Sequence, residues 1–121
     1  LALTRRKVQA GAHFFISQPI FSPTEPERFL ASYAERYGEE LVAPIFHGVQ
    51  VMIEGGLVLG DVPEWVTADL AKSRPGTDIA LQVLNSFVDA GLNTIYLVPP
   101  ILRGGRRDYD AAQAVLEGFR G

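Results

Sequence analysis

Three strand-length apolar runs, HFFISQP at residues 13–19, VAPIFHGV at 42–49 and TIYLV at 94–98, alternate with segments patterned for helices. That alternation leaves few folds open. A strand that leaves through a helix and re-enters the same sheet runs parallel to its predecessor, almost always by a right-handed crossover. The chain therefore reads as an α/β protein with parallel strands. Along the first run Phe14, Ile16 and Gln18 share one face, and Phe15 and Ser17 share the other. Both faces are mostly apolar, which predicts a central strand covered on each side.

The helices are punctuated as clearly as the strands. Residues 2–10 end at Gly11, a left-handed exit. Ser22-Pro23-Thr24-Glu25 predicts a helix start, with Ser22 capping, Pro23 in the first turn and Glu25 closing a capping box. Phe29, Leu30, Tyr33 and Tyr37 then recur at helical spacing up to Gly38. Pro63 opens a short helix to about Ala71, and a longer one carries Ile79, Ala80, Val83, Leu84 and Phe87 inward until Gly91. The last helix is expected to bury Tyr109, Ala112, Leu116 and Phe119. Residues 50–62 have no period, and Glu54-Gly55-Gly56 reads as a flexible loop.

At 121 residues the chain is one domain at most. Three parallel strands alone leave both sheet edges and much apolar surface uncovered. A complete barrel of this class needs about 250 residues, and three of its eight units fill about this length. The arithmetic favours a partial (βα)8 TIM barrel, with a small three-layer sandwich as the structural alternative. A self-contained α/β domain that associates through its sheet edges is the plainest competitor.

Net charge −3 argues against nucleic-acid binding, and no apolar run approaches a membrane span. The absence of cysteine excludes disulfides and thiolate metal sites. Basic residues cluster at Arg5, Arg6 and Lys7 and at Arg103, Arg106 and Arg107, where each group suits a small anion or a solvated helix end.

Gln18 falls at the carboxyl end of the first strand, where barrel enzymes keep ligand-reading side chains. Its amide offers one acceptor and one donor group to a heterocycle edge. The competing reading is a buried amide satisfied by a neighbouring loop. Tyr96 and Pro99-Pro100 suit the wall of a flat pocket, or core packing and strand termination. His47 reads as a packed, hydrogen-bonded histidine and His13 as structural. The two histidines form no metal set, and no residue is assigned as a catalyst.

From Leu3 to Phe21 the string L-x-R-R-K-V-x-A-G-A-x-F-x-I-S-Q-P-I-F resembles the methylenetetrahydrofolate reductase family, in its divergent or fused branch. The likeness continues through residues 44–49, Val62-Pro63-Glu64-Trp65-Val66 and Tyr96-Leu97-Val98-Pro99-Pro100. It implies the last three βα units of a flavin-dependent (βα)8 barrel, residues 1–121 being its C-terminal portion. The activity implied for the longer protein is reduction of 5,10-methylenetetrahydrofolate to 5-methyltetrahydrofolate, with FAD as cofactor and NAD(P)H as reductant. The resemblance makes that protein a cytoplasmic oxidoreductase of one-carbon metabolism and methionine biosynthesis, and a homo-oligomer is compatible with it.

Gln18 matches the family's pterin-contacting glutamine, and Arg6 and Lys7 match its basic pair near the FAD diphosphate. Leu70 falls near an aromatic that packs on folate in some members, and Tyr96 joins the substrate-binding set. Leu3 stands where a polar flavin contact is common, and residues 50–61 are shorter than the usual helix there. The family's general-acid glutamate and flavin aspartate belong to earlier strands, in the missing N-terminal barrel half. These departures allow a second reading, a non-catalytic folate-pathway or protein-interaction module built on the same barrel.

Overall fold

A computed structural model describes residues 2–92 and 94–120. Among them are five helices and one sheet: α1 (Ala2–Gln9), β1 (Phe15–Pro19), α2 (Thr24–Tyr37), β2 (Ile45–Gln50), α3 (Glu64–Ala71), α4 (Gly76–Asp89), β3 (Ile95–Val98) and α5 (Tyr109–Arg120). The strands lie in the order β1-β2-β3, and both pairings are parallel. The α/β class and the parallel pairing are as the alternation predicts.

The helix boundaries follow the chemistry of their ends. Gly11 (φ 91°) leaves α1 with its N–H on Val8 O, while Ala12 N–H reaches back to Lys7 O, each at 3.0 Å. That pair of bonds satisfies two carbonyls the helix end would otherwise orphan. Ser22 Oγ accepts from the Thr24 N–H at 3.2 Å, and Pro23 takes helical geometry (φ −69°, ψ −11°). Asp108 Oδ1 accepts the Ala111 N–H at 3.1 Å and so starts α5.

The core sits on one side of the sheet. Val49 and Val51 face Ile79, Val83 and Phe87 of α4, with Val66 of α3 and Val115 of α5 completing the cluster. Ile95 and Leu97 of β3 pack on the same side. By the strand's two-residue period, Phe14, Ile16 and Phe46 point the other way, and they are 55 %, 64 % and 37 % exposed. Phe14 and Phe46 meet there edge to face, with centroids 5.8 Å apart.

Several expectations need correction. β1 is an edge strand with one bare face, whereas apolar residues on both faces predicted a central, doubly covered strand. Its apolar bare face has no cover among the described residues, so composition alone misplaced it. β2 begins after Pro44, leaving Val42 outside the ladder and 91 % exposed. In α5 the buried face is Ala111 and Val115, with Gly118 against Leu81. Tyr109, Leu116 and Phe119 are exposed instead. α5 packs on α4, and small residues permit the closer approach, so the stripe of larger side chains turns outward.

One close approach fixes the start of α4. A Cβ on Gly76 would lie 1.5 Å from Met52 O, so only glycine lets the helix begin against that carbonyl.

Candidate functional site

The parallel strands end together at Pro19, Gln50 and Val98, and that end carries most of the polar groups of interest. β1 is irregular between Ile16 and Pro19. There Ser17 Oγ accepts the Gly48 N–H at 3.1 Å and donates to Gln18 O at 2.8 Å. A side-chain oxygen thus stands in for a ladder carbonyl. Ser17 O is left free, and the Tyr96 hydroxyl donates to it.

Tyr96 reaches β1 by crossing β2 at Gly48. A Cβ on Gly48 would stand 2.7 Å from the Tyr96 ring and hydroxyl and 3.2 Å from Pro19 Cα. The missing side chain is therefore the slot in which the tyrosine lies. Burial pushes the Tyr96 hydroxyl above its ordinary value, keeping it a neutral donor.

The same bulge presents Gln18. Its side chain is exposed, so the alternative of a buried, loop-satisfied amide is overturned. It stands beside Gly60, where an added Cβ would be 3.6 Å from Gln18 Oε1. The neighbouring loop is held by a different amide. Gln50, 2 % exposed, donates through Nε2 to Leu57 O at 2.9 Å and accepts from the Leu59 N–H at 3.1 Å. Leu57 also bonds Ile101 through its N–H at 2.8 Å, so the aperiodic segment is pinned at two points and is not a free loop.

Gln18 and Tyr96 therefore meet at one end of the sheet, Gln18 in the irregular stretch of β1 and Tyr96 bonded to the residue before it. Leu70 lies elsewhere, half-buried on α3 against the core cluster on the helix side. Arg6 and Lys7 occupy the last turn of α1. Lys7 lines a cleft of about 410 Å³ between α1, β1 and α2, again behind the sheet. Their neighbour Arg5 has a structural role: it donates to the Tyr33 hydroxyl at 3.2 Å, pairs with Glu39 and lies over the Tyr37 ring. Those partners raise its already high pKa further.

His47 also lines that cleft. It is 4 % exposed, and its Nδ1 is buried without a hydrogen-bond partner, contrary to the expected hydrogen-bonded histidine. An orphaned buried polar atom costs about 1–3 kcal/mol. Burial also pushes the imidazole below its ordinary pKa, so it stands neutral near pH 7. Among the described residues no cluster of three His, Cys, Asp or Glu side chains could hold a metal ion.

Ser17, Gly48 and Gln50 escaped the sequence reading. Only Gly48 left a signal, since a glycine inside an apolar strand marks a close approach. No family model, no curated protein and no solved structure matches the chain. No helix among the described residues is long and apolar enough to cross a membrane.

Proposed function

We propose that this chain is the last three βα units of a flavin-dependent (βα)8 barrel of the methylenetetrahydrofolate reductase kind. The longer protein reduces 5,10-methylenetetrahydrofolate to 5-methyltetrahydrofolate with NAD(P)H. One observation carries the reading: an exposed amide, Gln18, stands at the carboxyl end of β1 in a sequentially ordered parallel sheet. Parallel strands in sequential order with their helices on one side are wound as in a barrel, whereas a doubly wound sheet reverses its order and covers both faces. Closing such a sheet turns its bare face inward and makes its carboxyl end the mouth of the site.

In this reading Gln18 offers its donor and acceptor to the edge of the pterin ring. Tyr96, fixed by Ser17 O and the Gly48 slot, forms a rigid wall beside it. Leu70 lies behind the sheet, so it supports α3 and does not touch the ring. Arg6 and Lys7, in the last turn of α1, lead into the amino end of β1 and so stand away from this mouth, and neither is assigned to the FAD diphosphate. FAD, when bound, carries the hydride, while these residues orient the acceptor and limit water.

The test is the visible spectrum of the longer protein that carries this segment. A bound flavin bleached by NADH or NADPH and reoxidised by methylenetetrahydrofolate is expected. Gln18→Ala should slow reoxidation by folate at least about tenfold, the loss of one oriented pair of hydrogen bonds, while leaving flavin reduction unchanged. A colourless protein, or a variant slowed equally in both half-reactions, contradicts the assignment.

A further inference from the structure

We propose that Gln50 is a positioning residue: it locks the loop of residues 57–60 across the carboxyl end of the sheet and, through that loop, holds the Gln18 amide in place for its ligand. Gln50 does not itself touch the ligand, and its role rests on the reading of Gln18 as the amide that does.

The loop needs such a lock. Leu57, Val58 and Leu59 are 49 %, 45 % and 43 % exposed, so apolar burial holds it only weakly. Gln50, the last residue of β2, is 2 % exposed. An amide that deep is costly unless it is bonded, and here both of its bonds go to backbone seven and nine residues ahead. Nε2 donates to Leu57 O at 2.9 Å, and Oε1 accepts from the Leu59 N–H at 3.1 Å. Two bonds from one planar group fix both the distance and the twist of the loop, which a single bond does not.

The locked stretch reaches the other two strand ends as well. Leu57 donates its N–H to Ile101 O at 2.8 Å, just beyond β3. Further along, Gly60 lies against β1: a Cβ there would stand 3.5 Å from Pro19 O and 3.6 Å from Gln18 Oε1. Its φ of 139° is one that L side chains rarely adopt, so glycine is what lets the loop run there. Gln18 is exposed, and the backbone at Gly60 is a wall that limits where its amide can swing. Releasing Gln50 from the loop therefore frees Gln18.

The test removes both bonds while keeping the volume, with Gln50→Met. In the 121-residue chain, NMR should show the Gln18 side-chain amide shifted and the Leu59 N–H exchanging about tenfold faster or more, with the Phe87 and Val115 signals unmoved. The wild-type chain supplies a measurement that needs no variant to fold. Its Leu59 N–H should exchange at least about tenfold more slowly than that of Val58, which makes no hydrogen bond among the described residues. In the longer protein, Gln50→Met should slow flavin reoxidation by methylenetetrahydrofolate about fivefold, the size of one lost hydrogen bond, without slowing flavin reduction. Added to Gln18→Ala it should slow that variant no further, because a residue acting through Gln18 then has nothing left to position. A merely structural residue would leave the Gln18 amide unmoved, and its effect would add. The proposal is overturned by an unmoved Gln18 amide, by equal exchange at Leu59 and Val58, or by additive losses in the double variant. A colourless longer protein would overturn the flavin reading alone, and the Gln18 amide shift would still decide the role of Gln50.

Discussion

Behind β2 and β3 the space between sheet and helices is filled, whereas behind β1 it is a cleft. Val49, Val51, Val66, Ile79, Val83, Phe87 and Val115 close the first region, each at most 3 % exposed. α1 has no buried residue at all, and the α1–β1–α2 region holds by a few anchors. The chief anchor is Arg5, which links α1 to the buried Tyr33 of α2. The same βα repeat thus produces a packed core in one place and a ligand-sized gap in another. The difference lies in whether the covering helix carries a continuous apolar face, as α4 does, or presents polar and charged side chains, as α1 does.

The contrast is broken most directly by paired truncations. Phe87→Ala, at a fully buried position, should cost about 3–5 kcal/mol in urea unfolding. Phe29→Ala, half-buried beside the existing cleft, should cost about 1 kcal/mol, since it loses few contacts and creates little new void. Equal losses would mean that the two regions are packed alike.

Gly76→Ala tests the packed region at its tightest point. The new Cβ must displace the Met52 carbonyl, and the expected loss is about 3 kcal/mol, read as a lower urea midpoint. Retention of wild-type stability would show that α4 does not start against that backbone.

His47 sharpens the comparison from the cleft side. Its folded-state pKa is lowered, so below the unfolded value of about 6.5 the unfolded chain binds protons that the folded chain does not. Stability should therefore be flat above neutrality and fall as pH drops through that value. His47→Leu should remove this component and, by deleting an unsatisfied buried atom, gain about 1 kcal/mol at pH 7. An unchanged pH profile in the variant would exclude His47 as its source. The smallest effect belongs to Ser73, the non-glycine residue at positive φ (68°) among the described residues. Ser73→Gly should stabilise by about 0.5 kcal/mol, the relief of left-handed strain less the unfolded-state entropy of glycine, measured as a raised Tm.

Much of this was legible in the sequence. Element order, parallel pairing and the helix stops at Gly11, Gly38 and Gly91 follow from local rules, because turn chemistry and periodicity act within a few residues. What the sequence hid depends on neighbours distant in the chain. The face of α5 was misjudged because residue size alone does not say which helix lies opposite. The edge position of β1 was missed because an apolar face looks the same whether it is covered or bare. Gln18 was singled out by its place at a strand end, and it is exposed there. The Tyr96–Ser17 bond across Gly48 joins residues far apart in the chain and has no local signature. The cleft went unread for a related reason, since an empty space has no residue of its own.

The central claim is that the bare face of this sheet is the inner face of a larger closed one. Because the chain has no cysteine, a single introduced thiol reports burial cleanly. Ile16 is 64 % exposed and Val49 is 1 % exposed. Thiol labelling of Ile16→Cys should be fast in the 121-residue chain and strongly slowed in the longer protein, with Val49→Cys slow in both. Equally fast labelling of Ile16→Cys in both proteins would mean that nothing closes over this face, and the barrel reading would fall.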